Sequence, residues 1–252
     1  MFILQNLKEF IDNPMGKGSN AIPNRQLIKD NLNRRYEELI KNKKIKLDIY
    51  RKKDEYYFHF KLPSESDRNN FYDVVLHFTM DKEDFSNDKN LNRYYVKFFS
   101  NCPSFVYTYA YAFNLYGLFV EELSSKYDKK VLNDDPVTRN PGEIISYEKS
   151  IYFACYHLIR NDKYMNKSII NSIAKPYRKK QLVDNVKHSE QIQIEIKKET
   201  NRLKKEKQKS KEEKNVPKNN TKTNKYNKGI NKIKAKKSSI TKILPKRKIN
   251  RK

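Results

Sequence analysis

The chain has 252 residues with 55 Lys and Arg against 30 Asp and Glu, room for one or two domains. Its charge is uneven: Lys197 to Lys252 holds 23 basic and 4 acidic residues, a net of +19 in 56 residues, while the first 196 carry 32 basic and 26 acidic groups. No apolar run approaches the roughly 18 residues of a membrane span, and the opening residues Met1 to Lys8 lack the basic and apolar regions of a signal peptide, so a membrane protein or a secreted one is not expected.

In chain order, Phe2, Leu4, Leu7, Phe10 and Ile11 recur at helical spacing and predict a short amphipathic helix over residues 1–12, ended by Asn13-Pro14 and Gly16-Lys17-Gly18. A second helix is expected from about Pro23 to Asn42, with Leu27, Leu32, Tyr36 and Leu39 broadly along one face. The period then changes. Ile45, Leu47 and Ile49 alternate with polar residues, Arg51 to Glu55 is a polar turn, and Phe58, Phe60 and Leu62 alternate again. This predicts an antiparallel hairpin with one face buried. Phe71–Phe78 and Tyr94–Phe99 are further strands, giving a sheet of three to four antiparallel strands.

Phe105 to Gly117 reads as strand by alternation and as helix by its alanines. The helical reading is preferred, and would continue through Leu118–Tyr127 to stop near Asp128. Asp134 to Gly142 is an irregular loop, followed by a helix from about Glu143 to Ile159 and a short one over Lys167–Ala174, broken by Pro176. Residues 184–214 contain scattered Ile and Val in a Lys- and Glu-rich run, a charged helical extension at most. The rest is Lys, Asn, Thr and Ser. Of 31 Phe and Tyr only Tyr226 lies beyond residue 196, so this part has too few apolar groups and too much like charge to offset its chain entropy. The expected class is α+β: a small antiparallel sheet flanked by helices over residues 1–183, the extension 184–214, and a lysine-rich, largely disordered tail over 215–252.

Chemistry-bearing residues are sparse. Cys102 and Cys155 make no disulfide framework and are expected to stay reduced as small apolar groups. His59, His77, His157 and His188 show no zinc-site spacing and read as core or rim residues, so no metal is expected. Asp73 with Lys97 offers part of a metal-dependent nuclease pattern, but no second carboxylate accompanies them; Glu148-Lys149 and Asp134-Asp135 lie on other segments. Gly16-Lys17-Gly18 lacks the upstream glycine and strand of a phosphate loop, and no Gly-x-Ser-x-Gly elbow is present. No cofactor and no catalytic residue are assigned, and the chain is read as a non-enzyme.

Tyr107, Tyr109, Tyr111, Phe113 and Tyr116 could stack nucleic-acid bases, but no Lys or Arg is interleaved between Ser104 and Leu123. Core packing or a Tyr-rich protein surface is the better reading. The tail carries the stronger signal. Its cations, Lys197, Lys198, Arg202, Lys204, Lys205, Lys236, Lys237, Lys246, Arg247, Lys248 and Arg251 among them, would neutralise phosphates and release counterions, binding nucleic acid without sequence preference. The bland alternative, a solvated solubility tail, is weaker because single-sign blocks commonly serve as interaction arms.

Leu62-Pro-Ser-Glu-Ser-Asp67, Tyr72 to Phe78, Phe98 to Tyr107, Arg139-Asn-Pro141 and Tyr147 to Ala154 resemble segments of virion structural proteins from tailed phages of low-GC bacteria. The resemblance covers about residues 60–160. It implies a capsid, neck or internal virion component; the expected setting is the virion or the host cytoplasm, with other virion proteins as partners and nucleic acid bound through the tail. Self-association is left open, and no functional residue is carried over. A nucleic-acid-binding accessory protein of replication or RNA handling is the runner-up, and a metal-dependent nuclease the third reading.

Overall fold

A computed structural model of the chain describes residues 4–14, 24–42, 45–64, 70–80, 88–134, 140–188, 194 and 201–202, all within the unit Met1–Glu206. The first helix, α1 (Leu7–Asp12), begins where Asn6 closes a capping box: its side chain accepts the Glu9 N–H at 2.9 Å while the Glu9 carboxylate accepts the Asn6 N–H at 3.0 Å. Leu7, Phe10 and Ile11 go into the core. The next helix, α2 (Arg25–Asn42), buries Leu32, Tyr36 and Leu39 as expected. Leu27 does not join them and is 67% exposed. It precedes Leu32 by five positions, which turns it about 140° away around a helix of 3.6 residues per turn.

Strands β1 (Lys46–Lys52), β2 (Glu55–Pro63), β3 (Phe71–Thr79) and β4 (Tyr95–Ser100) pair antiparallel in sequence order. Lys52 pairs with Glu55 across the Lys53-Asp54 turn, where Lys53 takes the left-handed conformation with φ 52°. A fifth, two-residue strand, β5 (Lys175–Pro176), lies parallel to β1 and makes the sheet mixed, in the order β4-β3-β2-β1-β5. The α+β architecture read from the sequence is therefore the one observed. The expectation of a hairpin with one buried face is not: along β2 and β3 nearly every residue is buried, on both faces. One face, with Phe58, Phe60, Val74, Leu76 and Phe98, packs beneath α5 (Lys149–Arg160), with Phe10 of α1 on Phe98 and α1 and α2 against α5. The other is roofed by later chain segments.

Phe105 to Leu115 is helical, a π-helical turn over Phe105–Tyr109 running into α3 (Ala110–Leu115). The expected continuation to Tyr127 is corrected. Gly117, with φ 74°, ends α3: its N–H bonds the Asn114 carbonyl at 3.1 Å and the Leu118 N–H bonds that of Phe113 at 2.8 Å. This is a Schellman stop that a Cβ would penalise. The chain then bridges to β4 through Phe98 and Phe119, makes a 3-10 turn over Glu121–Lys126 and a short helix, α4 (Lys129–Asn133).

The helix expected from Glu143 starts later, at Lys149, because Glu148 in extended backbone caps it by accepting the Ile151 N–H at 3.0 Å. Its inward positions Ile151, Cys155 and Leu158 are those read from the spacing. Cys102 and Cys155 are both buried and free. Next come α6 (Lys167–Ile173), as expected, and α7 (Lys179–Asn185), which the sequence reading did not anticipate. Leu182 and Val186 are buried, so the packed body continues across residue 183. The extension over 184–214 is described only to residue 188 and at residues 194 and 201–202; the tail 215–252 lies outside the described residues.

Candidate functional site

On the second face of the sheet, polar side chains replace aliphatic ones. Strand alternation and register put Glu55, Tyr57 and His59 of β2 beside Asp73, Val75 and His77 of β3 and Lys97 of β4. Asp73, 3% exposed, is their centre. Its Oδ1 lies 2.7 Å from Nε2 of His59, and its Oδ2 accepts from the Asn101 amide at 3.0 Å and the Lys187 backbone N–H at 3.0 Å. The Asp73 N–H in turn donates to Asn101 Oδ1 at 2.8 Å. Both carboxylate oxygens are thus filled by donors from β2, from the residue following β4, and from the segment after α7.

A second cluster sits at the hairpin end of this face. His77 Nε2 lies 3.2 Å from the Glu55 carboxylate, and the His77 ring stacks on Tyr57 with centroids 3.9 Å apart. The hydrogen bond from His77 and the nearby Lys52 hold Glu55 down to a pKa of about 2. The Tyr57 hydroxyl donates to Glu122 at 2.9 Å, and burial together with that carboxylate pushes its pKa up. Tyr177 stacks on the other side of Tyr57 at 4.4 Å, its N–H bonded to the Arg51 carbonyl at 2.9 Å. From there α7 crosses the face. Asn185 donates to the Tyr50 hydroxyl at 3.1 Å, and Leu182 and Val186 are buried. Lys97 reaches Glu121 at 3.1 Å.

Both Asp73 oxygens accept from protein donors, and Lys97 is paired with Glu121 and not with Asp73. Among the described residues no group of three or more His, Cys, Asp or Glu is placed to hold a metal ion. Asp134 is exposed, and Asp135 lies outside the described residues. His157 shares a 2.7 Å hydrogen bond with the Tyr36 hydroxyl, burial lowering its pKa. His188 is exposed.

Glu148 is a separate feature. It is 2% exposed, burial raises its pKa, and its Oε1 has no hydrogen-bond partner. Its Oε2 takes the Ser150 hydroxyl at 2.5 Å, and Ser150 lies 2.7 Å from the Ser100 hydroxyl, which accepts the Cys102 N–H at 3.1 Å. Because Ser150 spends its proton on Glu148, Ser100 donates to Ser150. The chain of hydrogen bonds joins the cap of α5 to the end of β4. Burial pushes the Cys102 thiol up to about 12, far from a reactive thiolate.

In the aromatic run Phe105 and Phe113 are fully buried, their rings 5.1 Å apart, while Tyr107, Tyr109, Tyr111 and Tyr116 are half-buried. Of the tail cations only Arg202 is described, and it is exposed; Lys197, Lys198, Lys204, Lys205, Lys236, Lys237, Lys246, Arg247, Lys248 and Arg251 lie outside the described residues. The sequence reading missed the His59–Asp73 pair. Its signal was present in the hairpin pattern, since both residues fall on the polar side of adjacent strands. Asn101 and Lys187 had none, because they arrive from distant parts of the chain. Among the described residues no helix is long and apolar enough to cross a membrane. Comparison with protein families, with curated proteins and with solved structures gives no match to this chain.

Proposed function

We propose that this chain is a non-enzymatic structural protein that contacts nucleic acid through its basic tail, in the virion setting implied by the segment resemblance. The observation that carries the reading is the segregation of charge: a net of +19 in the last 56 residues, behind a body that holds nearly all the aromatic residues. A cationic density of that kind binds phosphate through counterion release and is indifferent to base sequence. The non-enzymatic part is supported by the use made of the polar groups in the body. Asp73 and His59 hold each other and the segment after α7, and Lys97 holds Glu121.

The test is the affinity of the full chain for duplex DNA across a salt series, beside a chain lacking residues 197–252. The logarithm of affinity should fall steeply with the logarithm of salt for the full chain and much less for the shortened one. Equal slopes would overturn the tail as the binding element. The virion setting has its own test: the protein should be found at fixed stoichiometry in purified particles. Tight binding by a chain absent from any particle would favour an accessory protein of replication or RNA handling.

A further inference from the structure

We propose that the cavity between α1, the loop 88–93 and the connection from α5 to α6 is a binding site for a saccharide, a neutral polyhydroxylated ligand, free or as a unit of a longer glycan. The site is separate from the tail and goes beyond the nucleic-acid reading. Its volume is about 650 Å³, within the roughly 300–1,000 Å³ of small-molecule sites. Its walls are joined before any ligand arrives. The Leu91 N–H bonds the Met165 carbonyl at 2.9 Å, the Lys167 N–H bonds that of Lys89 at 3.0 Å, and the Val96 N–H bonds that of Gln5, just before α1, at 2.9 Å. Asn90 pairs with Asn166, and Asn6 with Tyr95, as isolated bridges. A preformed site lowers the ordering cost of binding.

The apolar lining is Leu7, Ile11 and Met165, all buried, with Ile159 at 38% exposed. The polar lining includes three asparagines whose oxygens are already spent. Asn6 Oδ1 accepts the Glu9 N–H at 2.9 Å, Asn90 Oδ1 accepts the Asn92 N–H at 3.0 Å, and Asn166 Oδ1 accepts the Ser168 N–H at 3.0 Å. An asparagine side chain carries its two donors on the other branch of the amide. Each Nδ2 is therefore left for the cavity, and among the described residues none of the three has a partner. The caps use N–H groups at the starts of α1 and α6, so the site rests on side-chain amides in a cavity and not on a helix end.

The charges select a neutral ligand. Asp12 is paired with Lys29 at 3.0 Å, and the other charged lining residues, Lys8 and Asp162, offset each other. Neither an anion nor a cation is favoured. A hydroxyl both accepts and donates, so it can take an N–H from Asn90 or Asn166 and give its own proton to Asp162. Hydroxyls on neighbouring carbons suit several amide donors around one cavity, and the C–H groups of a sugar ring suit Leu7, Ile11 and Met165. A nucleobase is a poorer match, because the described lining residues include no aromatic ring to stack on it.

The experiment titrates the full chain with glucose, galactose and N-acetylglucosamine, each alone and as a linear trisaccharide, with adenosine and triglycine alongside. Binding is read by saturation-transfer NMR and calorimetry. At least one sugar should bind; preference for the trisaccharide identifies a glycan unit, and equal affinity a free sugar. Asn90→Asp and Asn166→Asp keep the oxygen that accepts from the backbone and replace the donor by an acceptor. Their melting temperatures should hold while affinity falls at least about tenfold for each. Ile159→Trp fills the cavity from a partly exposed position, leaves all three asparagines intact and should abolish binding. If the asparagine variants melt early, Ile159→Trp alone decides. Failure of every sugar to bind overturns the proposal, as does binding of adenosine or triglycine alone. Sugar binding that survives Ile159→Trp overturns the location. No variant alters the tail, so each of these outcomes leaves the nucleic-acid reading standing.

Discussion

Nε2 of His59 lies 2.7 Å from Oδ1 of Asp73, and both side chains are almost wholly buried between the sheet and the segment after α7. Asp73 is thus a junction and not an open ligand. Changing Asp73 to Ala removes the acceptor that His59 Nε2 and the Lys187 N–H share and leaves the Asn101 amide only the Lys187 carbonyl, at 3.3 Å. Removing one partner of a buried pair costs roughly 3–5 kcal/mol, so chemical denaturation should show a loss of that order, with Asp73→Asn milder. A variant that unfolds like the parent would show that the junction does not hold the body together.

Glu148 gives a pH signature of unusual sign. Burial raises its pKa in the folded chain, so between the unfolded carboxyl value and the folded one the folded state holds more protons. Its contribution to stability then falls as pH rises through that window, starting near 4.3 in the unfolded chain. Glu148→Gln keeps an oxygen to cap α5 and removes the ionisation. Its melting temperature should gain on the parent's as pH is raised from about 4 to about 8. Parallel curves would exclude a charged penalty at this site.

The end of the folded body can be located by truncation. A chain ending at residue 188 keeps the buried Val186 and the bond from Lys187 to Asp73; one ending at residue 183 loses both. The longer chain should melt cooperatively without the tail. The shorter should be less stable by roughly 2–4 kcal/mol, from lost apolar burial and an unfilled acceptor. Equal stability would mean that the roof over the polar face is dispensable.

The aromatic run should behave as core. Phe113 is fully buried against Phe98, Phe105 and Phe10, so Phe113→Ala should destabilise by roughly 3–5 kcal/mol. Half-buried Tyr109 should cost less when changed to Ala. Single-stranded DNA affinity, measured on the same samples, should stay at the parental value. Unchanged melting with several-fold weaker single-strand binding would instead identify a stacking platform.

The sequence by itself determined the elements whose cause is local. Alternation in Ile45–Ile49 and Phe58–Leu62 fixed the hairpin, the polar stretch at Arg51–Glu55 fixed its turn, and the spacing of Ile151, Cys155 and Leu158 fixed the inward face of α5. The segregation of charge into the last 56 residues is likewise a property of the chain alone. Only the tertiary structure decided which sheet faces are covered. Period-two alternation marks one side of a strand as polar, yet His59, Asp73 and His77 are buried: Tyr177 returns to stack on Tyr57, and the Lys187 N–H, 114 residues along the chain, bonds Asp73. The end of α3 at Gly117 was legible in principle, but the helix-forming residues beyond it outweighed one glycine until the bridge from Phe119 to Phe98 drew the chain back to the sheet. Local preference is written in neighbouring residues; burial of a polar group depends on whether a distant segment brings the donors that satisfy it.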